Sequence, residues 1–249
     1  MNSAFFQGFS LKRGIEGATY WISRWLCHAI SKVVFGLRVE GREHIPSSGA
    51  AIIAANHVSF LDPILVAIAA GRPVHFMAKE ELFRFRPFGW LLQQYRVFPV
   101  SRKRGDLQAM KRALSLLHEG EIIVIFPEGT RGDGNQLRAA KPGIGLIAGR
   151  SSAPVIPAFH RGAEKAMPRG AWIPRPHRIT VKFGAPFQFA EVQGGEGQGQ
   201  VVAFSQIVMA RIAALGAGSE GGSTTWSNRP HMRGEAMPTE IKGIKEQEG

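Results

Sequence analysis

The period of the hydrophobic residues changes once along this chain, near residue 37, and the change separates two kinds of structure. Before it, Ala18, Trp21, Ile22, Trp25, Leu26, Ala29, Ile30 and Val33 recur at three- and four-residue spacings, which predicts a helix over residues 15–35. The other side of that helix carries Arg24, His28 and Lys32. Aromatic rings beside basic residues suit a helix lying in a membrane interface, and the same pattern also suits a helix packed on its own domain. After residue 37, short apolar runs alternate with stretches of helical period. Strands are predicted at 37–40, 50–55, 74–78, 97–100, 122–126, 155–159 and 179–183. Helices are predicted at 63–70, 81–93, 107–119, 143–148 and 201–215. Such alternation predicts an α/β fold with a largely parallel central sheet flanked by helices. Beyond residue 215 the chain turns to Gly216-Ala217-Gly218-Ser219-Glu220-Gly221-Gly222-Ser223 and mixed polar residues, too few of them apolar to offset the entropy of ordering. The expected partition is an N-terminal amphipathic, membrane-associating helix at 1–36, an α/β domain at 37–215 and a flexible, disordered C-terminal tail at 216–249.

Composition narrows the partners. With 44% hydrophobic and 20% charged residues in 249, the chain can bury a sizeable core in one domain. Its net charge of +12 calls for an anionic partner: a phosphate-bearing small molecule, an anionic membrane surface or nucleic acid. The segment 79–104 concentrates seven basic residues against two acidic ones among Phe83, Phe85, Phe88, Trp90 and Tyr95. No RNP, zinc-finger or helix-turn-helix pattern accompanies it, so a phosphate- and lipid-facing surface is favoured over nucleic acid. Cys27 is the single cysteine, which excludes an intramolecular disulfide framework and gives no zinc signature; no metal site is expected. The longest run without Asp, Glu, Lys or Arg is 44–61, and Pro46, Asn56 and His57 within it suit a buried strand rather than a membrane span. No cleaved signal peptide is expected.

Candidate chemistry begins where the second predicted strand ends, at Asn56-His57-Val58-Ser59-Phe60-Leu61-Asp62. On a continuous helix His57 and Asp62 would lie about 140° apart at ~100° per residue, so the chain must turn between them. Pro63 favours a helix start there, which makes Asp62 the expected N-cap and leaves His57 in the preceding loop. A carboxylate on one ring nitrogen would leave the other to accept a proton from a substrate hydroxyl. The second block, Phe126-Pro127-Glu128-Gly129-Thr130-Arg131, directly follows the run Ile122-Ile123-Val124-Ile125. Gly143-Ile144-Gly145-Leu146-Ile147-Ala148 imitates a dinucleotide fingerprint, but it follows Lys141-Pro142 rather than a strand and is discounted.

Together, His57/Asp62 and Phe-Pro-Glu-Gly-Thr-Arg resemble the lysophospholipid and glycerol-phosphate acyltransferase family, and most closely its 1-acylglycerol-3-phosphate acyltransferases. Gly89-Trp90 with Val97-Phe98-Pro99-Val100-Ser101-Arg102 resembles the family's second block, and Val155-Ile156-Pro157-Ala158 its fourth. The resemblance spans roughly residues 39–187. It implies transfer of a fatty acyl group from acyl-CoA or acyl carrier protein to the hydroxyl of a lysophospholipid, giving phosphatidic acid, with His57 as base and Asp62 orienting it. No cofactor is required. With no G-x-S-x-G elbow and Cys27 in the first helix, the transfer is expected to be direct. Arg131 is the expected phosphate ligand, since a guanidinium bonds phosphate oxygens in pairs. Thr130 and the Gly129 amide could add donors, and Arg102 and Lys141 are carried over as further substrate-binding residues. Glu128 would orient Arg131, cap the loop or bond a substrate hydroxyl. The resemblance also implies association with the cytoplasmic face of a membrane, the inner one in a bacterium. Two rivals remain: a sister enzyme using a lyso-ornithine lipid, lysophosphatidylglycerol or glycerol 3-phosphate, and a non-catalytic lipid-binding protein.

Overall fold

A computed structural model describes residues 15–84, 92, 95–100, 107–134, 136–171, 173–192 and 197–217 of the chain. Seven strands form one sheet: β1 (Arg38–Glu40), β2 (Ala51–Ala55), β3 (Val74–Lys79), β4 (Val97–Val100), β5 (Ile122–Ile125), β6 (Val155–Arg161) and β7 (Thr180–Phe183). Their spatial order is β1-β7-β6-β2-β5-β3-β4. Neighbours run parallel except β6 and β7, which are antiparallel. The expected α/β architecture, with a mostly parallel sheet flanked by helices, is the one observed.

Buried on both faces, the central strands are apolar throughout. Along β2, Ala51, Ile53 and Ala55 enter one core layer while Ile52 and Ala54 enter the other. On β5, Ile122 and Val124 join the first layer, and Ile123 and Ile125 the second. The first layer is covered by α1 (Ile15–Phe35) and α2 (Asp62–Ala70). The second is covered by α3 (Leu107–His118), α4 (Gly143–Ser151) and α6 (Gln198–Ala217), the one-turn α5 (Ala163–Ala166) lying between α4 and α6 in sequence.

By length and composition α6 could cross a membrane, with a mean hydropathy of 1.5, yet it packs Phe204, Val208 and Ile212 without exposure into the second core layer. It runs to Ala217, two residues past the helix expected at 201–215, and Gly216 is buried against the Phe159 ring, where a Cβ would collide. Of the helix expected at 81–93, a short 3-10 turn at Glu80–Phe83 is present, and most of the remainder falls outside the described residues. The tail beyond 217 also falls outside them.

Helix α1 does not bury the face predicted to be its apolar one. Ser31 and Phe35 are buried, Cys27 packs beside them on the first core layer, and the Phe35 carbonyl accepts from Ile179 N at 3.0 Å. Trp25 (70% exposed), Leu26, Ile30 and Val33 (85% exposed) point outward, together with Lys32.

Candidate active site

Adjacent parallel strands β6, β2 and β5 end on one edge of the sheet, and each delivers a polar side chain there. His57 follows β2 by two residues, Glu128 follows β5 by three, and His160 lies near the end of β6. In open α/β sheets ligands bind outside the carboxyl ends of the strands, which is this edge.

Every degree of freedom of His57 is constrained. Its N–H donates to Glu128 Oε1 at 2.8 Å, and its carbonyl accepts from Gly132 N at 2.7 Å. Its ring stacks on Phe126 with centroids 4.3 Å apart and planes 22° from parallel. Nδ1 lies 2.7 Å from Asp62 Oδ2. An ionised carboxylate only accepts, so Nδ1 carries a hydrogen, and in the neutral ring Nε2 is the bare, accepting nitrogen. Nε2 has no hydrogen-bond partner among the described residues, and the side chain is 20% exposed.

Asp62 does not cap its helix. It is the first helical residue, with Leu61 in the cap position and no side-chain cap bond. Its Oδ2 instead reaches back to accept from Val58 N at 2.6 Å and Ser59 N at 2.7 Å, so the carboxylate closes the turn that carries His57. Its other oxygen, Oδ1, lies 2.9 Å from His160 Nε2. Burial alone would push the fully buried Asp62 carboxyl upward. His160 first and His57 second override that and hold it well below the usual carboxylate range. Ionised Asp62 thus fixes the ring and can stabilise its protonated form.

Glu128 is also buried, and both oxygens accept from backbone amides, Oε1 from His57 N and Oε2 from Arg138 N at 3.1 Å. Burial pushes its carboxyl up, and the two amides oppose that. These two bonds tie the loop after β5 to the His57 main chain. Its carboxylate grips the His57 main chain rather than the Arg131 guanidinium. The Arg131 guanidinium instead lies 3.6 Å above the exposed Phe60 ring, so the two sequence blocks meet at the mouth of the site.

The Gly129 amide is not available as a substrate donor: it donates to Phe126 O at 3.0 Å, closing a turn in which Gly129 has φ +66°. Lys141 is exposed, its amide bonded to Pro127 O at 2.9 Å and its side chain lying across Gly129. Thr130 is half-buried in the same loop. Arg102, with Gly89, Trp90 and Ser101 of the expected second block, lies outside the described residues. Sequence reasoning missed His160 and Asn56, although a histidine in an otherwise apolar strand was the available signal.

An imidazole with one nitrogen held by a buried carboxylate and the other bare, at the carboxyl edge of a mostly parallel sheet, defines an α/β site able to take a proton from a hydroxyl. The family model described as Acyltransferase matches residues 36–161, just over half of the 249-residue chain. The chain belongs to the acyltransferase family. The 1-acyl-sn-glycerol-3-phosphate acyltransferase of Bacillus subtilis is 29% identical over 181 residues, 72% of this chain and 88% of that protein. The chloroplastic 1-acyl-sn-glycerol-3-phosphate acyltransferase LPAT1 of Arabidopsis thaliana is 33% identical over 140 residues, 55% of this chain and 39% of that longer protein. The crystal structure of the 1-acyl-sn-glycerophosphate acyltransferase PlsC from Thermotoga maritima matches with a TM-score of 0.67 at 22% identity. That match covers 85% of this chain and 86% of PlsC and bears on the fold alone.

Proposed function

We propose that the protein transfers a fatty acyl group from acyl-CoA or acyl carrier protein to the free hydroxyl of 1-acylglycerol 3-phosphate, giving phosphatidic acid. The observation that carries this reading is the 2.7 Å contact between His57 Nδ1 and Asp62 Oδ2, which leaves Nε2 as a base. In this reading Nε2 takes the hydroxyl proton as the oxygen attacks the thioester carbonyl. The new C–O ester bond forms, the C–S bond breaks, and the thiolate leaves with the proton returned by His57. Arg131 binds the acceptor phosphate, with Thr130, Lys141 and Arg102 as further contacts, and Glu128 holds the His57 loop. The names of the relatives support 1-acylglycerol 3-phosphate as acceptor.

The outward apolar side of α1 docks the enzyme on the membrane that holds acceptor and product, at the cytoplasmic face, with Trp25, Leu26, Ile30 and Val33 in the headgroup layer. Residues 1–36 are then the docking element, and the α/β unit that follows is the catalytic domain.

One assay tests both parts. Thiol release from acyl-CoA and from acyl carrier protein is followed with a panel of lysolipids, each supplied in anionic vesicles and as dispersed short-chain analogues. Fastest turnover with lysophosphatidate is expected, and V33E with W25E should slow turnover of the vesicle-borne acceptor while sparing the dispersed one. Preference for lysophosphatidylglycerol, a lyso-ornithine lipid or glycerol 3-phosphate would overturn the acceptor. No thiol release with any acceptor would make the protein a lipid carrier.

A further inference from the structure

His160 belongs to neither sequence block, yet it touches the His57 assembly from two directions. Its side chain is fully buried, in a strand whose residues from Val155 to Phe159 are buried as well. Through the main chain, His160 N donates to Asn56 Oδ1 at 2.9 Å and its carbonyl accepts from Asn56 Nδ2 at 3.0 Å. Asn56 precedes His57, so its amide side chain extends the β2–β6 pairing past the last strand residue and anchors the main chain that carries the imidazole. Through the side chain, Nε2 of His160 lies 2.9 Å from Asp62 Oδ1, the carboxylate oxygen that His57, Val58 and Ser59 do not reach.

That oxygen needs a partner. A carboxylate with three donors on Oδ2 and none on Oδ1 would bury bare negative charge, which is costly in an apolar surrounding. Because an ionised carboxylate cannot donate, the nitrogen facing it carries the hydrogen. The approach is short but off the hydrogen-bond line, and neither Oδ1 nor the ring nitrogens of His160 make an aligned bond among the described residues. The contact is therefore chiefly electrostatic.

We propose that His160 is a positioning residue of the acyl-transfer site, its Nε2–H fixing the Asp62 carboxylate so that Oδ2 stays on His57 Nδ1. This rests on the reading of His57 as the base. The titratable groups that act on His160 are Asp62 from α2, at 2.9 Å, and Glu128 from the loop after β5, through its charge; His57 shares Asp62 from the carboxylate's other oxygen.

The test pairs His160→Leu, which keeps bulk without a donor, with His160→Gln, which restores one. His160→Leu is expected to lower kcat roughly 10- to 100-fold, the scale of a misplaced reacting group, with KM for both substrates near wild type. It should also move the acidic limb of kcat/KM to higher pH, because Asp62 without this donor holds a proton on His57 more firmly. His160→Gln should recover most of kcat and return the limb. A purely structural role would lower Tm in His160→Leu while leaving kcat and the pH limb unmoved, and that result overturns the proposal. Should His160→Leu not fold, nitrogen-15 NMR of the wild-type imidazoles decides: a slowly exchanging Nε2–H on His160 is expected, and a bare Nε2 overturns the proposal. Full activity in His57→Ala would defeat the base itself and this proposal with it. An inactive His57→Ala beside an unchanged His160→Leu defeats the positioning role alone.

Discussion

Each end of the sheet buries a histidine beside a carboxylate, and the two clusters differ in what they leave over. At the amino end, His75, the second residue of β3, has its Nε2 3.5 Å from Glu121 Oε2 and 3.5 Å from Arg96 Nη1, while Arg96 and Glu121 approach to 3.4 Å. Each member of that triangle faces the other two. At the carboxyl end, Asp62 takes donors from His57, Val58 and Ser59 and faces His160, and the arrangement ends on a bare His57 Nε2. A perturbed ionisation does not separate the two ends, since burial and then Arg96 push His75 down to about 4 while Asp62 is displaced as well. What separates them is an accepting imidazole nitrogen placed where parallel strands end, opposite the one held by a buried carboxylate.

The largest effect that would break this comparison is on turnover. His57→Ala should lower kcat by about 10²–10⁴, the usual scale of general-base removal, while His75→Gln leaves kcat near wild type. If His57→Ala keeps more than about a tenth of the rate, the carboxyl-end cluster has no more chemistry than the other.

The next effect is on stability. Asp62→Ala strands two backbone amides and two imidazoles in the interior and should cost roughly 3–5 kcal/mol in urea denaturation. Glu121→Ala removes a partly exposed carboxylate and should cost about 1 kcal/mol or less. The Asp62 effect carries a pH signature. Because its folded carboxyl is held below the usual range, the stability it contributes is complete above the unfolded value and declines as pH falls beneath it. The gap between wild type and Asp62→Asn should therefore narrow below about pH 4. A constant gap would mean that Asp62 stabilises by shape rather than charge.

Much of this was legible in one dimension, and the rest depended on pairing. Strand and helix positions followed from the switch in apolar period, and the observed ends of β2, β5 and α3 lie within one residue of expectation. His57, Asp62 and Glu128 were legible because each stands in a contiguous block behind a strand. Their partners were not. That Glu128 bonds His57 N, 71 residues away, and that Asn56 meets His160, 104 residues away, follows from β2 lying between β5 and β6. No local pattern carries that order. The expected capping role of Asp62 failed for a related reason: its carboxylate found two amides in the preceding turn and never faced its own helix. α1 shows the limit of periodicity, which located an apolar stripe but not the direction it faces.

An effect smaller than that of Asp62 sharpens the amino end. His75 has a folded value of about 4 against an ordinary 6.5, the direction set first by burial and then by the Arg96 guanidinium. Between those values the unfolded chain binds a proton that the folded chain refuses. Folding stability therefore falls as pH drops from 6.5 towards 4, by at most roughly 3 kcal/mol from this group. Removing the titration removes that slope. His75→Gln keeps an acceptor for Arg96 and has no proton to gain, so its unfolding free energy should fall less than wild type across the window, with the two curves parallel above pH 7. Urea titrations at half-unit steps measure the difference directly. Parallel curves throughout would show that Glu121 accommodates a protonated His75, and the amino-end triangle would then be a second charged cluster rather than a neutral-imidazole one.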